Sequence, residues 1–515
     1  MKKEPRSGLT LGIDLGTTFS AAAVLEANGK AKVIPNADGE LLTPSVVNLR
    51  DERHPVVGRA AANQSAFAPE YTVRLFKRGM GKTDAQGQSI PAFVHPDSGK
   101  AYTPEELSGL VIRFLVSGVE AALGTRVLGV VISVPAYFDS EAREATKRAG
   151  ELSGVKVLQI VNEPTAGGLA FGLDGAEPGN YAVYDLGGGT FDITILRIQD
   201  NDLRVLATDG DRDLGGSDVD NLIVARAVEA FRAQHGLEIT PETDLVAYLE
   251  TLDKAESAKK TLSQSETASF FISSQGQRMT MDLTRREFNA LIAPLIEKTK
   301  AITRRALDAA KLNVSDIRDI LLVGGSTRIP AVREMLTSVF GKAPRTDTKP
   351  DEAVALGAAI YAAKTAGEAG LLVVDTEGQK VLPPSVRVTD VTSHSLGCLA
   401  LRNGVLRNCV IIPANTPLPA ERKDTFALAD ARQTVAEVTI TTGPDDVPKE
   451  ECKEHGTLSL AGLPPRPVGQ ISIEVRYGFT VEGTLTVTIT DLVSGKSTSE
   501  IRHLALGAGA GATEA

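Results

Sequence analysis

Two short segments carry the residue types that could handle an anion and a cation together. Asp14-Leu15-Gly16-Thr17-Thr18 follows the apolar run Leu9 to Ile13, and Asp185-Leu186-Gly187-Gly188-Gly189-Thr190 follows Tyr181 to Tyr184. Each also precedes a β-prone run, so each reads as a strand, a tight glycine turn and a returning strand. Glycine lets backbone N–H groups crowd an anion, and threonine hydroxyls add further donors. A leading carboxylate repels a bare phosphate, so Asp14 and Asp185 imply a bridging cation. Two such hairpins far apart in the chain predict two similar half-domains closing on one metal–polyphosphate. For a single copy an ordinary surface hairpin would be the better reading; for two matched copies it is not.

The elements that must hold these turns are legible in outline. From Leu9 to about Ala369 strand-like runs alternate with helical patterns, which marks an α/β region. Val127 to Val134 reads as a buried strand ended by Pro135. Ser140 to Ser153 reads as an amphipathic helix capped by Asp139 or Ser140, and Leu245 to Ser263 as a longer one capped by Thr243 or Asp244. Arg285 to Leu312 is a further helix, and Ile320 to Val323 a strand running into Gly324-Gly325. Around residue 370 the character changes: Pro383-Pro384 and Val386-Arg387-Val388-Thr389 mark a connector. Beyond it, Cys409–Ile412, Val435–Ile440, Ile471–Val475 and Leu485–Ile489 are short β runs separated by turn signals. They predict an all-β module of roughly 115 residues. The expected division is an N-terminal extension at 1–8, a first domain at 9–380, a linker at 381–392, a β domain at 393–503 and a disordered Gly/Ala tail at 504–515.

Composition narrows the function classes. A chain of 515 residues with 42% hydrophobic and 23% charged residues fits a globular protein of two to four domains. No apolar stretch approaches a membrane span. The basic start, Met1 to Arg6, runs into an apolar stretch that contains Asp14, so it belongs to the fold and not to a signal peptide. Cys398, Cys409 and Cys452 are odd in number and none forms a CxxC pair, which disfavours a disulfide framework or zinc site and points to a cytoplasmic home. A net charge of −10 and the absence of Trp argue against a nucleic-acid partner.

Taken together, the blocks Gly12–Thr18 (GIDLGTT), Val134–Phe138 (VPAYF), Asn162–Ala166 (NEPTA), Asp185–Asp192 (DLGGGTFD), Leu214–Gly216 (LGG), Val323–Arg328 (VGGSTR) and Pro350–Ala359 (PDEAVALGAA) resemble the heat-shock 70 kDa (DnaK-type) chaperone family. The likeness continues through Asp390-Val391-Thr392 and Ile412–Pro419 (IPANTPLP) to about residue 503. The resemblance implies an α/β actin-like ATPase domain followed by an all-β sandwich that binds peptide. It implies ATP or ADP with Mg2+ as cofactors, and K+ as a further candidate. Asp14, Glu163 and Asp185 match residues that hold the magnesium through water. Gly16, Thr17, Thr18, Gly187, Gly188, Gly189 and Thr190 would cradle the β- and γ-phosphates, with Gly215 and Gly216 beside them. Lys77 matches the lysine that positions the attacking water, and Asp192 a second carboxylate near it. Glu256, Lys259 and Ser263 share one helix face and would reach ribose and base. Gly324, Gly325, Ser326 and Arg328 would meet the adenine, with Asp351 beneath. Pro135, Arg143 and Asp390 match residues that relay nucleotide state between domains. By alignment Leu401 and Ala429 arch over a bound peptide, and Ala436 lines its central pocket.

Departures from the family pattern shape the expectations. Ala436 stands where a larger β-branched residue is usual. Arg387 interrupts what is typically an aliphatic linker, and should weaken its docking into the ATPase domain or change its partner. Gln159 replaces an arginine that helps engage the J-domain co-chaperone, and Asp213 replaces a His before Leu214. The chain stops soon after its last β run, so a short member without the helical lid is expected. The leading reading is an ATP-hydrolysing chaperone that binds extended apolar segments of unfolded polypeptide, with a J-domain protein and a nucleotide-exchange factor as partners. Alternatives are an actin-like small-molecule kinase, or a nucleotide-binding regulatory protein without turnover.

Overall fold

A computed structural model describes residues 7–503 apart from 66, 85, 173–175, 346–348 and 482. The expected Gly/Ala tail and most of the N-terminal extension lie outside the described residues. The elements foreseen from sequence form close to their expected limits: helices Ser140–Leu152, Leu245–Leu262 and Arg285–Ala309, and strands Val127–Val134 and Ile317–Val323. Asp139 and Asp244 are the N-caps of the first two, each accepting a backbone N–H three residues on.

Two sheets repeat one strand order. In the first, Ser7–Asp14 lies between Val127–Val134, parallel to it, and Phe19–Leu25, antiparallel to it; Ala31–Ile34 pairs beyond. In the second, Gly179–Leu186 lies between Ile317–Val323, parallel, and Phe191–Gln199, antiparallel; Asp202–Asp211 pairs beyond. The two turn segments therefore occupy equivalent hairpins at equivalent places in their sheets.

Two small-residue helices, Glu163–Gly172 and Ala353–Glu368, pack between the sheets. The fit leaves no room for a side chain at Gly12 or Gly357. A Cβ on Gly12 would sit 1.9 Å from Ala359 N, and one on Gly357 would sit 1.7 Å from Ala166 O. Val131 and Val161 of the first sheet share a core with Val183, Leu196, Leu321 and Val323 of the second, through Ala166, Ala358 and Ala362. That alanine-lined layer brings the two hairpins together.

Beyond the connector are two four-stranded antiparallel sheets. One is ordered Val405–Ile412, Leu396–Arg402, Val435–Thr442, Lys453–Ala461; the other Ala420–Ala427, Ile471–Phe479, Thr484–Asp491, Ser497–His503. They share one core that includes Leu396, Ile412, Ile440, Leu460, Val475, Tyr477, Leu485 and Ile489. Strand Thr484–Asp491 alternates buried and partly buried residues along its length, the period-two pattern read from the sequence.

The connector itself adds a strand. Arg387–Thr389 pairs in parallel with Asp202, Leu203 and Arg204 at the edge of the second sheet. Arg387 does not prevent this docking, because its side chain faces solvent while Val386 and Val391 are buried against Leu169, Leu203 and Val205.

Candidate functional site

The turns of the two hairpins face each other. A Cβ on Gly188 would strike Thr18 Oγ1 at 2.5 Å, and one on Gly189 would strike Thr17 Oγ1 at 2.5 Å. Only glycine allows both threonine hydroxyls to approach the opposite backbone this closely. The carbonyls of the second turn are tied away from the cleft. Gly187 O accepts Gly216 N–H at 2.9 Å and Ser326 Oγ–H at 2.9 Å, and Gly188 O accepts Ser217 N–H and Oγ–H, both at 2.8 Å. Gly189 O accepts Arg78 Nη2–H at 3.0 Å. In the first turn Gly16 N–H donates to Ser20 Oγ at 3.2 Å and Ser45 Oγ–H donates to Gly16 O at 2.7 Å. Gly215 is pressed against Gly188 and Gly189, where a Cβ would lie 2.6 Å from Gly189 N.

Below the turns lies a buried cluster of carboxylates with one amine. Asp14 ends its strand and accepts Ser133 Oγ–H at 2.9 Å. Asp185 and Asp192 are directly opposed in the second hairpin, which puts both side chains on one face. Glu163 opens its helix and accepts Lys77 Nζ–H at 2.7 Å, with Lys77 only 3% exposed. Tyr137 N–H donates to Asp192 Oδ1 at 2.8 Å. Burial, then the Glu163 carboxylate, pushes Asp14 up to about 7 despite Lys77 and Ser133. Burial and Glu163 likewise push Asp192 up to about 7, and Asp185 rises well above the usual carboxylate range through burial, Glu163, Asp192 and Asp14. Lys77 alone does not neutralise this cluster, so a further cation would be favoured there.

The donor set suits magnesium. It is made of hard carboxylate oxygens of the kind magnesium takes, and among the described residues no group of three His, Cys, Asp or Glu is placed to hold an ion by itself.

The remaining predicted residues fall around the same cleft with partners the sequence did not announce. Gly324 adopts φ of 80°, where a Cβ would be 2.4 Å from Leu186 O, and Arg328 Nη2–H donates to Asp351 Oδ2 at 2.5 Å. Asp351 Oδ1 lies against Gly325. Lys259 is committed to Asp220 at 2.8 Å and to Gly216 O at 3.0 Å, which ties its helix to the phosphate turns. Burial pushes Asp220 up to about 6, with Lys259 opposing. Glu256 pairs with Lys260 at 2.6 Å, and the Ser263 hydroxyl donates back to Lys259 O at 2.9 Å. Arg78 pairs with Asp218 and so joins the Lys77 segment to the helix Gly216–His235. Arg78, Asp218, Asp220 and Ser133 were missed by sequence reasoning. Arg78 alone had a signal, its adjacency to Lys77.

A second group lies where the β-module meets the α/β region. Asp390 accepts Asn162 Nδ2–H at 2.6 Å and Thr165 Oγ1–H at 3.3 Å, and Arg143 donates to Asn162 Oδ1. Burial raises Asp390 against the pull of Arg143. Asn162 directly precedes Glu163, so the junction is one residue from the cleft. Buried Pro135 accepts Phe138 N–H at 3.1 Å in the turn that leads to Arg143. Gln159 lines the cavity at this junction. In the β-module Leu401 and Ala429 are exposed and Ala436 is buried, its strand paired with Lys453–Ala461 through Leu460.

An α/β region with two equivalent facing hairpin turns over a carboxylate cluster, joined to an all-β module, defines the class of molecule. A family model described as Hsp70 protein matches residues 10–507. The chain is 38% identical over 510 residues to a chaperone protein DnaK of Thermus thermophilus, covering 95% of this chain and 79% of that one. It is 39% identical over 499 residues to the chaperone proteins DnaK of Thermotoga neapolitana and Thermotoga maritima, covering 95% of this chain and 80% of each. This chain belongs to the Hsp70 family.

Proposed function

We propose that the cleft binds Mg-ATP between its facing turns and that hydrolysis there governs the grip of the β-module on extended apolar peptide. The chain is an ATP-dependent chaperone of the Hsp70 family, and ATP hydrolysis is its enzymatic step. In this reading residues 9–380 are an actin-like ATPase domain of two related lobes, 381–392 the linker and 393–503 a peptide-binding β-sandwich. The observation that supports it most is the convergence of Thr17, Thr18, Gly188 and Gly189 above half-buried Asp14, buried Asp185 and Asp192, and the buried Lys77–Glu163 pair.

In this reading each residue takes one role. Thr17, Thr18, Thr190 and the glycine amides would hold the β- and γ-phosphates, and Asp14, Glu163 and Asp185 would hold magnesium through water, where it would supply charge neutralisation. Lys77, fixed by Glu163, places the attacking water, and Asp192 holds a proton-accepting oxygen nearby. Arg328 and the Gly324-Gly325 backbone face adenine, while Glu256, Lys259 and Ser263 border the ribose. Asn162 and Asp390 connect Glu163 to the β-module, with Pro135 and Arg143 shaping that contact. Leu401, Ala429 and Ala436 meet the peptide. A J-domain protein and a nucleotide-exchange factor are the partners expected for this cycle. Among the described residues no helix is long and apolar enough to cross a membrane, and a cytoplasmic site of action accompanies the proposal.

The test is hydrolysis and nucleotide affinity measured separately. Lys77→Ala and Thr190→Ala are expected to abolish turnover while binding nucleotide. Parent-rate hydrolysis in both would overturn the assignment of the cleft.

A further inference from the structure

Lys77 and the second phosphate turn belong to opposite sides of the cleft. Phe76 and Met80, which flank the Lys77 segment, are buried in the core of the first sheet, whereas Leu186 and Phe191, which flank the turn, are buried in the core of the second. The residue after Lys77 spans the gap. Arg78 Nη2–H donates to Gly189 O at 3.0 Å, and Nη1–H donates to Asp218 Oδ1 at 3.2 Å, with Nη2 also bound to Asp218 Oδ2. Asp218 Oδ2 in turn accepts Gly215 N–H at 2.7 Å. One guanidinium therefore grips a carbonyl of the phosphate turn together with the carboxylate that braces the Leu214–Gly216 turn behind it. A planar fork of several donors suits two acceptors at once.

Both ends of this bridge are fixed. The Arg78 side chain is 19% exposed and that of Asp218 23%, so the pair is sheltered from solvent more than a surface ion pair. Arg78 Nε is buried without a hydrogen-bond partner among the described residues. An unpaired buried donor is unfavourable, so the guanidinium is oriented by Gly189 and Asp218 and not by its own full satisfaction. Upstream, Leu75 has φ of 58°, a left-handed conformation that leucine rarely adopts, and its carbonyl accepts Arg78 N–H at 3.1 Å. Lys77 O accepts Met80 N–H at 3.1 Å, while Lys77 Nζ is held by Glu163 at 2.7 Å. Across the cleft, the C=O and N–H of a trans peptide unit point in opposite directions, so fixing Gly189 O also fixes Thr190 N–H. Two further contacts join this segment to the same side: Lys82 lies 3.7 Å from Asp213, and Arg212 Nη2–H donates to Met80 O at 2.9 Å. Lys82 and Asp213 are both exposed, and neither contact touches the phosphate turn.

We propose that Arg78 is a positioning residue for hydrolysis: bound to Gly189 and Asp218 at once, it sets the separation between the Lys77 amine and the second phosphate turn. The role rests on the proposed functions of Lys77 and Thr190. Water placed by one side of the cleft must meet a phosphate held by the other, and a misplacement of about 1 Å slows such a step by about a hundredfold. Nucleotide affinity is spread over the whole cradle and changes little with the same shift. Loss of Arg78 therefore shows in the chemical step and not in binding. Lysine is an incomplete replacement, because it keeps the charge as a point donor without the fork.

Single-turnover hydrolysis of pre-bound Mg-ATP, nucleotide affinity by equilibrium titration and the melting temperature are measured on the same full-chain variants. Arg78→Ala is expected to slow the chemical step by about thirtyfold to a hundredfold, with affinity within about threefold of the parent. Arg78→Lys should recover part of that loss and remain about tenfold slow. Asp218→Asn reaches the pair from the other side while keeping an acceptor for Gly215 N–H, and it covers an Arg78 variant that fails to fold. It should slow the step by about tenfold, and the double variant Arg78→Ala with Asp218→Asn should be no slower than Arg78→Ala alone, because the two groups act as a unit. Lys77→Ala is run beside these variants. Parent-rate hydrolysis in Lys77→Ala would remove the assignment of the cleft, and the role of Arg78 with it. With Lys77→Ala inactive, Arg78→Ala and Asp218→Asn both within about threefold of the parent rate would overturn the proposal alone. A loss of rate matched by an equal loss of affinity would overturn it too, since that is the mark of a purely structural tether.

Discussion

The phosphate cleft and the β-module use their backbones in opposite ways. In the cleft, glycines are forced by contacts shorter than any side chain allows: Gly188 against Thr18, Gly189 against Thr17, Gly12 against Ala359. The β-module is specified more by alternation: a Cβ on Gly397 would meet Cys409 O at 2.6 Å, but Gly478 in strand Ile471–Phe479 has nothing nearer to a prospective Cβ than Thr486 at 3.9 Å. Its core residues could be exchanged for others of similar size. The contrast explains why chemistry is written residue by residue in the first region and only as a pattern in the second.

The largest expected effect contrasts the layer beneath the hairpins with the β-module. Gly357→Ala should destabilise by more than about 3 kcal/mol, because its Cβ falls on Ala166 O, whereas Gly478→Ala should stay within about 0.5 kcal/mol. Denaturant unfolding checks both, and similar losses would end the comparison. Next, Lys77→Ala should lower the hydrolysis rate by about a hundredfold or more, with nucleotide affinity changed only a few-fold. In the module, Ala436→Phe should block peptide binding without altering basal hydrolysis. Because Ala436 is buried beside the core, the same change is expected to cost about 1–3 kcal/mol of overpacking. Exposed Leu401→Ala should weaken peptide binding with no loss of stability, which separates channel from core. Unchanged peptide affinity in both would remove these residues from the peptide site.

The last effect concerns pH. Asp14 and Asp192 are raised to about 7 by burial and Glu163, above the ordinary carboxylate value. The folded state thus binds these protons more tightly than the unfolded chain. Their contribution to stability is fully present below about pH 4 and is lost as pH rises to about 7. In chelator without nucleotide, the melting temperature should fall across that window, and Asp192→Asn should shallow the slope. Mg-ATP should stabilise more at about pH 8 than at about pH 5. An Asp192→Asn slope equal to the parent's would exclude that carboxylate as a contributor.

Much of this was legible in the sequence where local chemistry decides structure. The hairpins follow from a carboxylate, glycines and threonines after an apolar run, and the helix starts follow from Asp139 or Ser140 and Thr243 or Asp244 before helical periodicity, of which Asp139 and Asp244 are the caps. What escaped were partners set by tertiary packing. Lys259 has the spacing to face the nucleotide, yet its amine is bound to Asp220, which periodicity does not mark. Arg78 bridges to Asp218 and Gly189 across a separation that no window reaches. Arg387 looked disruptive because charge in a linker suggests exposure. Strand pairing uses its backbone, so the side chain can point outward while Val386 and Val391 are buried.

The central claim is that the cleft and the β-module act as one machine through the junction at Asn162 and Asp390. Steady-state ATP hydrolysis with and without an extended apolar peptide, beside fluorescence anisotropy of that labelled peptide in ATP and in ADP, tests it most directly. The account predicts slow hydrolysis, with weaker peptide binding in ATP than in ADP. Hydrolysis accompanied by equal peptide affinity in the two nucleotides would contradict it.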